Sequence, residues 1–496
     1  MPPTAQYELL PRSSLDDNAS TEEFKDKPLP RRQNVFFRIA RKTRRICRVC
    51  RPIYVLIGFI IFCLWQILFN GSYVDPLAFM IPQEETVFIA ANIIDGDLIG
   101  GAWGRALLEL VELIGKEKVY VSIYGGPKDR LELLGGMLEC EHSFVSEEET
   151  PLDMSAIPRT TLPTGEKRIK RIAYLAEVRN KALEPLDRLK RRFDKVLFIN
   201  DVHFEAEGAA RLLWGTNVDE EGKARYKAAC GTDFVAWWKF YDTFATRDTE
   251  GYSIGVPIFP WFSTEGEAIS RKDILAGKDA VRVKSCWGGM TAFDARYFQG
   301  NVKGASKATR EPPTLPLRFR SEPEPFWDSS ECCLIHADIM ALPPLPMSPV
   351  TEDKWDQGIY MNPNVRVSYD ASTQARLGFA RRVERLFALP QAILNHFAHM
   401  PRFNVRRTEI EGEVVHDRVW KSNPESVVSA RATIGEGMDL GVDYWTKKGH
   451  YVDEDRTANR GGYCGVRQLL VIKEGNLEPG EGNWDNLLNE VPPLGL

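Results

Sequence analysis

Residues 87–94 (Val87-FIAANI-Ile94) form a nearly continuous apolar run, the pattern of a β-strand that is buried on both faces. The next segment, Ala102–Lys116, repeats apolar residues at helical spacing, and Gly115 provides a helix end. Val119–Gly125 is a second apolar strand pattern. Strand, helix and strand in this order predict a βαβ unit and therefore a parallel sheet.

The same alternation continues along the chain. A helix is predicted over Ile172–Leu189, with Pro185 ending its first part. Lys195–Asp201 and Asp233–Lys239 have the composition of further buried strands, and residues 375–400 carry a helical pattern. We therefore predict an open, doubly wound α/β sheet, whose ligands bind beyond the carboxyl ends of the strands.

An apolar segment without charged residues, Pro52–Phe69, precedes this region. Nine Lys or Arg residues and no acidic residue lie just before it, between Arg31 and Arg51. As a helix the segment would span about 27 Å, close to the ~30 Å core of a bilayer. The charge asymmetry predicts a cytoplasmic N-terminus and a lumenal remainder. A buried core helix is the alternative, but it gives no reason for the asymmetry.

These patterns divide the chain into five parts. We predict a cytoplasmic basic tail (1–51), a transmembrane signal-anchor helix (52–69), a stem (70–84), a lumenal folded domain (85–475) and a loosely ordered C-terminal tail (476–496). The net charge of −5 argues against a nucleic-acid partner. Six cysteines lie in the lumenal part, and the sequence does not choose among their fifteen possible pairings.

The segment Phe198–Phe204 carries the most informative polar residues, because an apolar strand runs directly into Asn200 and Asp201. A carboxylate at such a strand end can hold Mg²⁺ or Mn²⁺ on a diphosphate and so neutralise the charge of a leaving group. The Asn200 amide oxygen would coordinate more weakly. A strand-ending pair that only caps the next turn is the alternative, and the residues alone do not decide.

Other polar residues are candidates for the same chemistry. His336 is a possible further metal ligand or a hydrogen-bonded structural histidine. Glu331, in an apolar surround, could orient an acceptor hydroxyl or stabilise positive charge. Arg179 and Asn180 lie where a guanidinium could clamp a diphosphate, although a solvated basic face is the alternative.

Two short motifs complete the set. Tyr241–Asp248 contains Asp242, a second candidate for handling the acceptor hydroxyl. Trp287 is followed by Gly288 and Gly289; a tryptophan can stack on a sugar or base, and glycines allow the backbone to approach a ligand closely.

Taken together, nine stretches resemble glycosyltransferase family 69, the fungal group that contains the cryptococcal capsule-associated α-1,3-mannosyltransferase. They run in order over roughly residues 85–475: Phe88-IAAN, Val119-YVSIY, Ala173-YLAEVRN, Phe198-INDV, Tyr241-DTFATRD, Ser285-CWGGM, Ser330-ECCLIHAD, Asn362-PNVRV and Tyr463-CGVRQLLV.

The resemblance implies a GT-A-like fold, that is, an open mixed sheet with flanking helices. It also implies a retaining glycosyltransferase in the Golgi membrane that moves mannose from GDP-mannose to a mannose-containing glycan with Mn²⁺ or Mg²⁺ and forms an α-1,3 linkage. On this basis the site residues are expected to be metal ligands (Asp201, His336), donor-binding residues (Arg179, Asn180, Asn200, Asp201, Trp287, Gly288) and catalytic residues (Glu331, Asp242).

Two other classes of protein remain open at this point. A non-catalytic transferase fold that assembles or exports polysaccharide would explain an Asn at position 200. A membrane-tethered glycoside hydrolase would need two carboxyl groups about 5–9.5 Å apart, and it gives no reason for a strand-end Asn-Asp pair beside a basic clamp.

Overall fold

The computed structural model describes most of the chain: residues 35–69, 78–162, 166–300, 314–342, 353–402, 404–422, 449–474 and 482–487. Residues 1–34 of the predicted cytoplasmic tail, most of the predicted stem and most of residues 476–496 lie outside the described residues.

The helices are α1 (Val35–Phe69), α2 (Gly96–Ile99), α3 (Ala102–Ile114), α4 (Lys128–Met137), α5 (Arg171–Leu183), α6 (Pro185–Arg188), α7 (Ala206–Trp214), α8 (Ile269–Leu275), α9 (Glu331–Ala341), α10 (Ala371–Val383) and α11 (Ala388–Phe397). The first nine strands are β1 (Val87–Asn92), β2 (Val119–Tyr124), β3 (Glu141–Val145), β4 (Arg159–Thr161), β5 (Lys167–Ile169), β6 (Lys195–Ile199), β7 (Ala228–Ala236), β8 (Lys239–Phe240) and β9 (Val281–Arg282). The later strands are β10 (Met290–Asp294), β11 (Asp328–Ser329), β12 (Ile359–Ser368), β13 (Val414–Ser422), β14 (Gly449–Thr457), β15 (Gly465–Val466), β16 (Leu470–Ile472) and β17 (Trp484–Asn486).

Nine of these strands form one central sheet in the order β3-β2-β1-β6-β10-β7-β12-β9, with β8 attached to β7. β3, β2, β1 and β6 are parallel, β10 runs against both of its neighbours, and β7 and β12 are again parallel to each other. Six strands therefore point in one direction, and their carboxyl ends lie along one edge of the sheet. The prediction of an open mixed sheet with flanking helices is confirmed.

The central strands bury both faces, as their continuous apolar sequences predict. In β1, Val87, Ile89 and Ala91 pack with α3 and α7 in one hydrophobic cluster, whereas Phe88 and Ala90 pack with α5 and α9 in another. This alternation follows from the two-residue period of a strand. Helices on both sides are needed because a parallel sheet with two apolar faces cannot leave either face in water.

The local boundaries follow the signals in the sequence. α3 ends at Ile114, before Gly115, whose φ of 105° favours glycine. Pro185 separates α5 from α6, where it occupies the first turn. One helix among the described residues, α1, contains a segment long and apolar enough to cross a membrane, Pro52–Phe69.

Two disulfides tie distant parts of the chain together. Cys230 in β7 is bonded to Cys286, and Cys333 in α9 is bonded to Cys464. The first fixes the segment that precedes β10 against the sheet. The second fixes α9 to the C-terminal part of the chain.

A substitution on each face of α3 tests this packing. Leu107 is fully buried between β1 and α7, whereas Leu113 on the same helix is exposed. We expect Leu107→Ala to lower the free energy of unfolding by about 2–5 kcal/mol, because it removes methyl groups and leaves a cavity. The matched control Leu113→Ala should change it by less than about 1 kcal/mol. Chemical denaturation of the full-length protein in detergent measures both, and equal effects would contradict this assignment of faces.

Candidate functional site

A cavity of about 660 Å³ lies at the carboxyl ends of the parallel strands. Asn92 ends β1, Tyr124 ends β2, Asn200 and Asp201 follow β6, and Tyr369 follows β12; all of them line the cavity. Because β10 runs in the opposite direction, the residues before its start, including Trp287, reach the same edge. Sheet topology thus gathers residues that are far apart in the chain.

Arg179 of α5 lies at the centre of the wall. Its Nε donates to Glu331 Oε1 at 3.0 Å, and its Nη1 donates to Asn200 Oδ1 at 3.3 Å. The guanidinium carbon stands 4.3 Å from the ring centroid of Trp287, a cation–π distance. These two bonds use two of the five N–H donors of the guanidinium, and Arg179 lines the cavity.

Asn200 holds this wall together. Its Oδ1 accepts from Arg179 and also from Trp287 Nε1 at 3.1 Å, so both lone pairs of the amide oxygen are used. Its backbone N–H donates to Gly289 O, and its backbone carbonyl accepts from Trp103 Nε1. The oxygen expected from the sequence to help hold a metal is therefore occupied by two protein donors.

Asp201, by contrast, is exposed at the cavity. The surrounding protein partly desolvates its carboxyl group and raises its pKa, while Arg179 acts in the opposite direction. No group of three or more His, Cys, Asp or Glu side chains able to hold a metal ion occurs in the described part of the chain. A single carboxylate fits an ion such as Mg²⁺, which takes its other ligands from a diphosphate and water.

Glu331 begins α9 and is almost completely buried, with Arg179 as its ion-pair partner. Lys170, just before α5, fixes the segment that leads to α9 and Glu331. The Lys170 ammonium is buried, ion-pairs with Asp328 at 2.9 Å, and donates to the carbonyl oxygens of Glu322, Glu324 and Trp327. One lysine thus positions both the start of α5 and the approach to α9.

Asp242 lies in the cavity wall, where four protein donors surround its carboxylate. Oδ2 accepts from Trp287 N–H at 2.8 Å, Gly288 N–H at 3.3 Å and the Thr246 hydroxyl at 2.8 Å. Oδ1 accepts from Ala245 N–H at 2.9 Å. The carboxylate therefore also shapes the turn that presents Trp287.

Three predicted residues do not line the cavity. The side chain of Asn180 exchanges two hydrogen bonds with the backbone of Phe319. Gly288 packs against Gly231, where an added Cβ would stand 2.0 Å from the Gly231 carbonyl oxygen. His336 is fully buried within α9, its Nδ1 donates a hydrogen bond to Cys332 O, and burial lowers its pKa to about 4. The structure does not bring His336 to the cavity that Asp201 lines.

The structure adds cavity residues that the sequence analysis did not single out. Aromatic rings form much of the wall: Tyr124, Tyr174, Tyr241, Phe244, Tyr369 and Trp484. The hydroxyl of Tyr174 donates to Glu147, and Arg171 lies 4.6 Å from the ring centroid of Trp484. Trp484 belongs to the predicted C-terminal tail, but β17 pairs with β16 and so brings it to the site.

Asp233 is a further residue that the strand pattern alone did not reveal. It is fully buried in β7, accepts from Tyr369 Oη at 2.9 Å, and accepts from Asp242 N–H at 3.0 Å. Burial raises the pKa of Asp233 to about 8, and the nearby Asp242 carboxylate adds to the shift. At neutral pH it is therefore mainly protonated.

The sequence model of the family described as cryptococcal mannosyltransferase 1 matches residues 86–338, just over half of the chain. The chain belongs to this family and is a glycosyltransferase. The matched segment contains Arg179, Asn200, Asp201, Asp242 and Glu331, so the polar centre of the cavity lies inside it. No curated protein matches the chain.

Solved structures give only a distant likeness. The mannosyltransferase PcManGT from Pyrobaculum calidifontis, in complex with GDP-Man and Mn²⁺, is 11% identical with a TM-score of 0.28; the match covers 69% of this chain and 74% of that one. Glucosyl-3-phosphoglycerate synthase from Mycobacterium tuberculosis, in complex with Mn²⁺, UDP and phosphoglyceric acid, is 12% identical with a TM-score of 0.28, covering 78% of this chain and 96% of that one.

The raised pKa of Asp233 predicts a pH-dependent stability. Between the unfolded value of 3.8 and the folded value of about 8, the folded protein holds a proton that the unfolded chain releases. The free energy of unfolding should therefore fall as pH rises through this window. Asp233→Asn removes the titration and keeps an acceptor for Asp242 N–H. We expect the variant to gain thermal stability relative to the wild type as pH is raised from 5 towards 9.

Melting temperatures of both proteins over this pH range measure the effect. Glu132→Gln on the exposed face of α4 serves as a control for loss of a carboxylate and should show no such trend. A constant difference between Asp233→Asn and the wild type across the range would contradict a raised pKa.

Proposed function

We propose that this protein is a metal-dependent, retaining mannosyltransferase that moves mannose from GDP-mannose to a mannose-containing glycan and forms an α-1,3 linkage. The proposed setting is fungal polysaccharide or glycoconjugate synthesis. The observation that carries the proposal is the single exposed carboxylate of Asp201, beside Arg179 and Trp287, at the carboxyl ends of the parallel strands. Family membership supports the mannosyl group.

The charges in the cavity support a divalent cation. Five carboxyl groups line it (Glu147, Asp201, Asp233, Asp242, Glu331) against two guanidinium groups (Arg171, Arg179). With Asp233 protonated, the cavity is still net negative, by four carboxylates to two guanidiniums. A diphosphate would be repelled from such a site unless a cation came with it. Bound Mn²⁺ or Mg²⁺ would neutralise charge on the diphosphate leaving group.

Each residue then has a role in the transfer. Asp201 would hold the ion, and the free N–H groups of Arg179 would contact the donor phosphates. Trp287 is almost completely buried and would shape the sugar pocket by holding the Arg179 guanidinium against its ring. Glu331 and Asp242 are proposed to orient the acceptor hydroxyl or to stabilise positive charge at the anomeric carbon. Asn200 acts indirectly, by fixing Arg179 and Trp287 relative to each other.

We also propose a type II arrangement in the Golgi membrane, with α1 as the anchor and the catalytic domain in the lumen. Two observations support this placement. Pro52–Phe69 is apolar and follows a basic block. The domain contains two disulfides, and these persist in oxidising compartments such as the secretory pathway.

The experiment that tests the proposal follows nucleotide diphosphate release by the full-length protein in detergent. Nucleotide sugars are supplied one at a time with Mn²⁺, with and without α-mannobiose. We expect release from GDP-mannose that the acceptor increases and EDTA abolishes. Release from another donor would overturn mannose but keep the transferase. A folded protein that releases nothing from any donor would favour a non-catalytic role in polysaccharide assembly.

The proposed metal ligand is tested by Asp201→Ala. We expect turnover to fall by at least about a hundredfold, because the charge of the leaving group is no longer offset. The melting temperature should stay close to that of the wild type, since Asp201 is exposed. Asp129→Ala, an exposed carboxylate on α4, is the matched control and should keep full activity. Full activity of Asp201→Ala would remove the metal assignment.

A further inference from the structure

The cavity extends along the edge of the sheet to both sides of Asp201. Asp201 follows β6, and the sheet order places β1, β2 and β3 on one side of it and β10, β7 and β12 on the other. Neighbouring strands lie about 4.8 Å apart, so β3 and β12 each stand roughly 14 Å from β6. If Asp201 holds the diphosphate, as proposed above, the nucleoside and the acceptor have to extend from it in different directions.

The side towards β3, which we call the Glu147 arm, consists of five residues that line the cavity: Ile94, Gly125, Glu147, Tyr174 and Val178. Ile94 is 69% exposed, and a Cβ added at Gly125 would stand 3.5 Å from its Cγ2. The Gly125 N–H donates to Val145 O at 3.0 Å, which joins the end of β2 to the residue two before Glu147. Ile94 and Glu147 are therefore brought together through Gly125.

Helix α5 contributes the rest of the Glu147 arm. The Tyr174 hydroxyl donates to Glu147 Oε1 at 2.7 Å. One turn further along α5, Val178 is tied to the strand ends through Asn92, whose Nδ2 donates to Val178 O at 2.9 Å and to Tyr124 O at 3.3 Å. The arm thus combines apolar side chains with one carboxylate. Such a lining suits a flat ring with apolar faces and a polar edge, as in a nucleobase.

The carboxylate of Glu147 has unused acceptor capacity. In the described part of the chain no Lys or Arg forms an ion pair with it, and the Tyr174 hydroxyl is the one donor that contacts it. An ionised carboxylate offers about four lone-pair sites, so it can still accept hydrogen bonds from a ligand. Its negative charge repels phosphate, whereas the Arg179 guanidinium attracts it. The arm therefore suits the base of a nucleotide and not its diphosphate.

Guanine is the common nucleobase whose donors match this carboxylate. Its Watson–Crick edge presents two neighbouring donors, the N1–H and the exocyclic amino group, and a carboxylate can accept from both at once. Uracil presents one N–H between two carbonyl oxygens, and adenine and cytosine each present an amino group beside an acceptor nitrogen. Those acceptor atoms would face the carboxylate without a donor between them, which lowers affinity.

We propose that Glu147, held by the Tyr174 hydroxyl, selects the donor nucleotide by accepting hydrogen bonds from the N1–H and the amino group of guanine. Ile94 and Val178 supply apolar contacts to the base. The acceptor then takes the other side of Asp201, where Tyr241 and Tyr369 line the cavity. The inference rests on the proposed function for the position of the diphosphate, and it adds the residue that distinguishes guanine from the other bases.

Equilibrium binding of nucleotides tests this without any turnover. Isothermal titration calorimetry on the full-length protein in detergent, with Mn²⁺ present, compares GDP, inosine diphosphate, UDP and ADP. Inosine diphosphate differs from GDP only by lacking the amino group of guanine. We expect GDP to bind most tightly and inosine diphosphate to bind roughly tenfold or more weakly, because one hydrogen bond to a charged acceptor is lost.

The variant Glu147→Gln isolates the carboxylate. Its amide has one acceptor oxygen, and its NH₂ group would oppose a guanine donor. We expect the Kd of GDP to rise by at least about tenfold and the preference for GDP over inosine diphosphate to shrink to less than about threefold. Glu148→Gln is the matched control, because Glu148 is the next residue, is exposed and does not line the cavity. It should bind all four nucleotides like the wild type.

Three results would overturn the assignment of Glu147: no binding of any nucleotide, tighter binding of UDP or ADP than of GDP by the wild type, or an unchanged Kd of GDP in Glu147→Gln. Nucleotide release from GDP-mannose, measured on the same proteins, separates this inference from the proposed function. Selective GDP binding that depends on Glu147, without release, would keep the base contact and remove the transferase. Release that Glu147→Gln leaves unchanged, with an unchanged KM for GDP-mannose, would keep the transferase and remove the base contact.

Discussion

The site depends on the need to compensate one largely buried positive charge, the guanidinium of Arg179. A buried charge is tolerated only when it is paired and hydrogen-bonded. Its partners come from three different elements: Glu331 from the start of α9, Asn200 from the end of β6, and Trp287 from the segment before β10. Satisfying Arg179 therefore fixes the relative positions of α5, the sheet edge and α9.

The residue at position 200 shows how the need to compensate Arg179 determines what a strand-end Asn-Asp pair can do. A strand-end acidic pair is expected to bind metal with both members. Here Asn200 uses its amide oxygen for two protein donors, and of the two residues only Asp201 is left to face a ligand in the cavity. A neutral amide suits this position, because a carboxylate would compete with Glu331 for Arg179. The pair thus divides into a residue that builds the wall and a residue that faces the ligand.

Several elements outside the matched family segment complete the enclosure. Tyr369 comes from the end of β12, and Trp484 comes from β17 near the C-terminus. The Cys333–Cys464 disulfide and the buried Lys170–Asp328 ion pair join the C-terminal part to α9 and α5. The walls of the cavity therefore come both from the segment that the family model matches and from the C-terminal part of the chain.

The sequence by itself determined three neighbouring strands of the central sheet and the place of Asp201 at the end of one of them, whereas the strand expected over Asp233–Lys239 begins earlier, at Ala228. The spacing and continuity of apolar residues are local features of the sequence, and they indicate directly which residues are buried. For this reason β1, β2, β6, α3 and α5 could be predicted.

Only the tertiary structure decided which polar side chains meet. Asn180 and Asn200 are both expected from the sequence to bind the donor. In the structure, Asn180 binds a loop backbone, whereas Asn200 joins Arg179 to Trp287. Asp233 lies inside a strand pattern, and its proximity to Asp242 and Tyr369 arises from chain crossings that no local pattern records. The physical reason is that charge compensation and hydrogen bonding depend on distances in space, and these are set by the sheet order.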